Sequence, residues 1–129
     1  MKFVEAISNS DRQALNKAIT VAELSDCHFR HGAVIRKNGN TVAVGVNYNI
    51  NDPAFLDNDV AAEHAAVHAE VAALNACKKM NLSGATLYVA RINKNGEPRM
   101  SKPCARCQKA IRERGIKKVI YTIENVIDL

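Results

Sequence analysis

Apolar and polar positions along this chain switch between two spacings, and the switches divide it into elements. In residues 10 to about 26, Leu15, Ala18, Ile19 and Ala22 recur at helical spacing, with Ser10 or Asp11 placed to cap the first turn. A first helix is predicted there. The β-branched runs GAVIR (32–36) and TVAVGV (41–46) follow, and the KNGN between them carries the Asn-Gly pair of a tight turn. They predict an antiparallel hairpin. The next stretch, NYNINDPAFLDND, is polar, turn-rich and long for a connection, which marks a functional loop bordering a site.

Residues 60–80 are alanine-rich and, by propensity alone, read as one long helix, after which Gly84 leads into a strand ATLYVAR at 85–91. A second Asn-Gly pair lies in INKNGEPRMSK. Pro103 then suits the start of a helix CARCQKAIRERG that ends at Gly115, and KKVIYT at 117–122 is a further strand followed by the tail IENVIDL. Helices alternating with strands after an opening hairpin predict an α/β fold, a three-layer αβα arrangement around a sheet of about four to five strands. With no repeat, linker or low-complexity stretch, residues 1–129 read as a single domain.

Two short motifs carry chemistry: His68-Ala69-Glu70, and Pro103-Cys104-Ala105-Arg106-Cys107. One imidazole and two thiolates supply the three protein ligands of a hydrolytic zinc site with an open fourth position, and thiolates select zinc over magnesium or calcium. The expected cofactor is therefore Zn2+, held by His68, Cys104 and Cys107. Cys104 and Cys107 are three apart on one helical turn, where the positive helix end would favour both thiolates. Glu70 is the candidate general acid and base, taking a proton from an activated water and returning it to the substrate. Residues two apart on a regular helix face nearly opposite ways, so His68 and Glu70 cannot both lie mid-helix. The alanine-rich helix must break near Val67, with His68 in the first turn.

Composition narrows the class. The 129 residues are 47% hydrophobic and 24% charged, an ordinary globular balance, and no apolar run approaches the ~20 residues of a membrane span. No signal peptide or anchor is expected, and a Cys-x-x-Cys pair without secretory context points to metal chemistry in a reducing cytoplasm. The net charge of +5 suits a phosphorylated substrate, but the basic residues are scattered, and aromatics at 5% offer no platform for single-stranded nucleic acid. A small molecule is the expected partner.

The pairing of H-A-E with P-C-x-x-C resembles the signature of the cytidine/deoxycytidylate deaminase superfamily, and the likeness extends over residues 31–122 in the order hairpin, helix, strand, helix, strand. The resemblance implies hydrolytic removal of the amino group of a cytosine-type nucleoside or nucleotide, deoxycytidylate-like or cytidine-like, with release of ammonia. It also implies that Asn47, in Gly45-Val46-Asn47, faces the substrate's sugar and that the backbone amide of Ala69 binds the base's carbonyl. His64 is a further candidate for substrate contact. Relatives often form homo-oligomers, and the strand at 117–122 would then be an edge for a neighbouring subunit to cover. Many relatives continue past that strand into another helix and strand, whereas only IENVIDL follows here. Ser101 and Lys102 stand before Pro103, where tRNA adenosine deaminases commonly carry a glutamate.

Plainer readings stand beside these. Purine or nucleic-acid base deamination is an alternative within the same chemistry, and a catalytically silent zinc domain that assembles with a partner is an alternative outside it. Asn47 could simply end a strand as a turn former. Cys27, His28 and His31 could form a second metal site, although a thiol beside two polar histidines is the simpler expectation. Cys77 repeats at helical spacing with Ala73 and reads as core. Arg106, Lys109, Arg112 and Arg114 could meet a phosphate, but a charged helix face is usually only solvated.

Overall fold

The structure is a computed structural model, and it describes residues 7–49, 66–123 and 125–128. Helix α1 (Asn9–Ala22) begins the described chain, followed by the hairpin β1 (Arg30–Lys37) and β2 (Asn40–Val46). Asn38 and Gly39 both take positive φ, 54° and 80°, the conformation that matches a two-residue turn to the twist of its strands. A short pair, β3 (Tyr48–Asn49) with β4 (Ala66–Val67), stands apart from the main sheet. Helix α2 (Ala69–Ala76) leads to β5 (Thr86–Ile92), the two-residue β6 (Pro98–Arg99), helix α3 (Ala105–Glu113), β7 (Lys118–Tyr121) and β8 (Asn125–Asp128).

The main sheet runs in the order β2-β1-β5-β7-β8, with β6 hydrogen-bonded to part of β5. β5 and β7 are parallel and α3 lies between them in sequence, while the remaining pairs are antiparallel. Both faces of the central strands are covered. Val34, Tyr88 and Ile120 pack with α1, whereas Ile35, Leu87, Val89 and Val119 pack with α2 and with Ile111 of α3. Strand side chains alternate between the faces, so burying both turns the alternation into the continuous apolar runs seen in the sequence. The three-layer αβα expectation is met.

Helices α1 and α2 each seat on the hairpin at a glycine. A Cβ on Gly32 would lie 2.3 Å from the carbonyl oxygen of Ala18, and one on Gly45 would lie 2.4 Å from both the Ala69 oxygen and the Ala73 nitrogen. Backbone there fills the space of a side chain.

Two expectations are corrected. Helix α1 is capped by Ser8, whose hydroxyl accepts from the Asp11 amide at 3.0 Å, and it ends at Ala22. Asp11 is not a cap because its carboxylate accepts the Tyr88 hydroxyl at 2.6 Å, joining helix to sheet. The strand at 118–121 is not an edge: the tail pairs with it antiparallel, from Lys118 opposite Asp128 to Tyr121 opposite Asn125. The alanine-rich segment is interrupted as expected, since Ala66–Val67 is strand and α2 spans only Ala69–Ala76. Residues 60–65, His64 included, lie outside the described residues, as does most of the loop after Asn49.

Gly45→Ala is expected to lower stability beyond the ~1–3 kcal/mol of ordinary overpacking, because the opposing atoms are backbone and cannot rotate away. Chemical denaturation reads this directly. A midpoint equal to that of the unsubstituted protein would mean that helix and strand do not touch this closely.

Candidate metal centre and active site

Two helix beginnings converge to make the site. His68 is the N-cap of α2, with extended backbone (φ −74°, ψ 149°), and Glu70 is the second residue of the helix proper. The expected break near Val67 is therefore present, with His68 just ahead of the first turn instead of within it. Extended backbone at the cap and helical backbone two residues later let the imidazole and the carboxyl meet on one side. Cys104 is the N-cap of α3, also extended (φ −68°, ψ 166°), and Cys107 lies one turn in, buried against the core.

Liganding atoms of His68, Cys104 and Cys107 all lie within 4.8 Å of one another, and His68 Nδ1 is 3.1 Å from Cys107 Sγ. Zinc bonds to nitrogen and sulfur place neighbouring ligands of a tetrahedron roughly 3.5 Å apart, so the cluster has the compactness such an ion needs. Among the described residues this is the one grouping of three potential metal ligands. Cys27, His28 and His31 do not form a second. The Cys27 thiol instead sits 3.6 Å from the carbonyl oxygen of Asn47, and Cys77 is buried with its thiol 3.4 Å from the Ala73 oxygen.

Burial opposes the charged forms of Glu70 and Cys107. Burial pushes the Glu70 carboxyl above its ordinary range, against the pull of its own backbone amide and of nearby His68. Burial also pushes the Cys107 thiol strongly upward, and the Glu70 charge beside it adds to the effect. The helix end was expected to lower that thiol, but desolvation outweighs the partial charge of a helix terminus. A divalent cation reverses this balance, because it stabilises thiolate and carboxylate together. The donor set thus fits a soft divalent ion.

A cavity of 320 Å³ opens over the cluster. His68, Ala69, Glu70 and Cys104 form one part of its wall, Phe29, His31 and Asn47 another, and Ser101 to Pro103 a third. Ala69 is the first helical residue, so its N–H is among those without an intrahelical partner. The Asn47 side chain is already engaged: Nδ2 donates to the Phe29 oxygen at 2.7 Å and Oδ1 accepts from the His31 amide at 2.8 Å. It ties the end of β2 to the segment that lines the cavity. Burial lowers the pKa of His31, with Arg91 and His68 adding to the shift, so its ring favours the neutral form.

Phe29, Ser101 and Lys102 were not singled out as cavity residues from sequence. Proximity to Pro103-Cys104 was the available signal for Ser101 and Lys102. Nothing local marked Phe29. Arg114 was grouped with a solvated basic face, but its guanidinium donates to the carbonyls of Leu74 at 2.9 Å and Cys77 at 2.7 Å. It caps the end of α2 from the end of α3 and so couples the two helices that bear the cluster.

The cytidine and deoxycytidylate deaminase zinc-binding region, as a family model, matches residues 8–123. The chain belongs to the cytidine and deoxycytidylate deaminase family. Among its relatives, the deoxycytidylate deaminase of Mycobacterium phage D29 is 31% identical over 132 residues, spanning 89% of this chain and 95% of that protein. The dCMP deaminase of cyanophage S-TIM5, solved in complex with dCMP and dUMP, is 26% identical with a TM-score of 0.66, over 89% of this chain and 82% of that one. A cytidine deaminase from Burkholderia pseudomallei shares the fold at a TM-score of 0.66 and 16% identity, over 95% and 92% of the two chains. This deaminase-family chain is accordingly an enzyme of a zinc-dependent class. Among the described residues no helix is long and apolar enough to cross a membrane.

Removing the clamp between the two helices should weaken the fold that holds the site. Arg114→Ala is expected to lower the thermal midpoint by several degrees, since hydrogen bonds from a charged donor are worth ~1.5–3 kcal/mol before solvent screening reduces them. Differential scanning calorimetry checks this, and Arg112→Ala, at an exposed position two residues earlier, should change little.

Proposed function

We propose that this chain deaminates a cytosine-type nucleotide, with deoxycytidine monophosphate as the first candidate: dCMP and water give dUMP and ammonia. The observation that carries the reading is the open cluster of His68, Cys104 and Cys107 in a cavity wall, with the carboxyl of Glu70 buried beside it. A purely structural zinc site would be closed by a fourth side chain, and among the described residues none joins these three. The nucleotide preference is supported by the 31% identity to a deoxycytidylate deaminase over nearly the whole of both chains.

His68, Cys104 and Cys107 would hold zinc, whose Lewis acidity makes water a nucleophile near neutral pH. Glu70 performs the proton chemistry. Its carboxylate accepts a proton from the attacking water and delivers it to the ring nitrogen adjacent to the reacting carbon, then takes the remaining proton of the new hydroxyl and passes it to the amine, which leaves as ammonia as the C–N bond breaks and the carbonyl forms. Burial suits both roles, because a desolvated carboxyl holds a proton more readily than an exposed one. The Ala69 N–H would donate to the base's carbonyl oxygen and Asn47 would turn its remaining N–H and lone pair to the sugar, roles supported by both residues lining the cavity.

Glu70→Gln is expected to lower kcat for dCMP by about 10²–10⁴-fold while zinc content stays near that of the unsubstituted protein. Ammonia release and elemental analysis, run on the same preparations, check the two halves. Undiminished turnover would reject the proton-transfer role. Chelation should abolish activity and added zinc restore it. A panel of dCMP, deoxycytidine, CMP, cytidine, guanine, adenosine and single-stranded DNA identifies the substrate, and ammonia from none of them would sink the proposed activity.

A further inference from the structure

Residues 100–104 carry Cys104 but belong to neither helix nor strand. Of the three proposed ligands, Cys107 is held by the packed core and His68 by the start of α2. Cys104 is exposed, so its position depends on the chain to either side. Downstream, Gln108 serves as an anchor: its amide donates to the Cys104 oxygen at 2.9 Å and its Nε2 to the Pro103 oxygen at 2.8 Å. Upstream the anchor is Ser101.

Ser101 is 4% exposed and Thr122 is 3% exposed. Their hydroxyl oxygens lie 2.7 Å apart, in a knot that joins the ends of β5 and β7 to the segment leading into Cys104. Thr122 Oγ1 donates to the Arg99 oxygen and accepts from the Arg91 amide at 3.3 Å. Ser101 Oγ accepts from the Thr122 amide at 2.9 Å and lies 2.8 Å from the Val89 oxygen. Two hydroxyl hydrogens face three acceptors, so with Thr122 committed to Arg99, Ser101 donates either to Val89 or to Thr122. The Thr122 amide also donates to the Val89 oxygen at 3.1 Å, so the strand ends stay paired without Ser101, and what the hydroxyls add is the side-chain tie between those ends and residues 99–101.

A second observation comes from the next residue. Ile123 has φ 86°, a left-handed conformation that is strained for a β-branched side chain. The chain turns sharply immediately after Thr122, where the knot pins it. The knot also lies at the carboxyl ends of the parallel pair β5 and β7, and Ser101 lines the cavity itself.

We propose that the Ser101–Thr122 hydroxyl pair is the positioning device that holds Cys104 at bonding distance from the metal position. This rests on Cys104 being a zinc ligand. Neither hydroxyl touches the reacting atoms, and both act through the chain they pin.

The test is zinc affinity by chelator competition, with the thermal midpoint of the metal-free protein measured alongside. Ser101→Ala and Thr122→Val should each weaken zinc binding by about 10–100-fold, the usual consequence of losing a group that orients a metal ligand. Thr122→Ser, which keeps the hydroxyl, should restore affinity close to that of the unsubstituted protein. Val34→Ala, in the core on the opposite face of the sheet, should lower the midpoint without weakening zinc. The proposal is overturned if Ser101→Ala and Thr122→Val bind zinc normally, or if Val34→Ala weakens zinc as much as they do. Cys104→Ser separates the layers: retained zinc there would reject the ligand assignment itself, whereas lost zinc with normal binding in the two hydroxyl variants would reject only the positioning role.

Discussion

Helix α2 lies so close to β2 that its backbone occupies the space a side chain at Gly45 would need. Much of the site follows from that contact. Ala69 and Ala73, both fully buried, supply the matching small surface, and the helix start is therefore set against the sheet by backbone instead of by adjustable side chains. His68 leaves the chain at the cap of this helix and Glu70 in its first turn. The strand that carries Gly45 continues to Asn47, whose amide clamps Phe29 and His31 at the rim of the cavity. A single strand end thus locates the cluster on one side and the cavity wall on the other.

The second constraint is electrostatic. Two helix beginnings point at one place, which favours anions, yet burial there disfavours both the Glu70 carboxylate and the Cys107 thiolate. These tendencies are reconciled by a cation. Without one, burial works against the charged forms of Glu70 and Cys107, and with one the same burial strengthens the attraction between the cation and those groups. The geometry must therefore be built by the protein in advance. Seating of α2 on Gly45, capping of α2 by Arg114, and packing of Cys107 from α3 into the core do that work for the helices, while the loop to Cys104 depends on hydroxyl and carbonyl partners.

Local chemistry made much of this legible. The Asn-Gly hairpin, the apolar strands, the Pro103 helix start, and H-A-E and P-C-x-x-C each taken singly depend on neighbours within a few residues. Even the interruption before His68 could be argued from helical geometry, because the 100° step between residues is independent of context. Other features were hidden because their partners are distant in sequence. Asp11 serves Tyr88, Arg114 serves Leu74 and Cys77, and Ser101 serves Thr122. A polar residue in a string of letters does not declare which orphaned carbonyl or hydroxyl it will meet. The tail was likewise read as a remnant because four residues carry too weak a pattern alone, and only the exposed flank of β7 makes them a strand.

By itself, then, the sequence determined the identities of the donors, their spacing within each helix turn, and the need for a break between His68 and the residues before it. The tertiary structure decided that the two motifs meet, how deeply Glu70 and Cys107 are buried, and that Asn47 spends its amide on the backbone of Phe29 and His31. The division has a physical cause: spacing along a helix is fixed by covalent geometry, whereas desolvation and long-range hydrogen bonding exist only once distant segments have excluded water from one another.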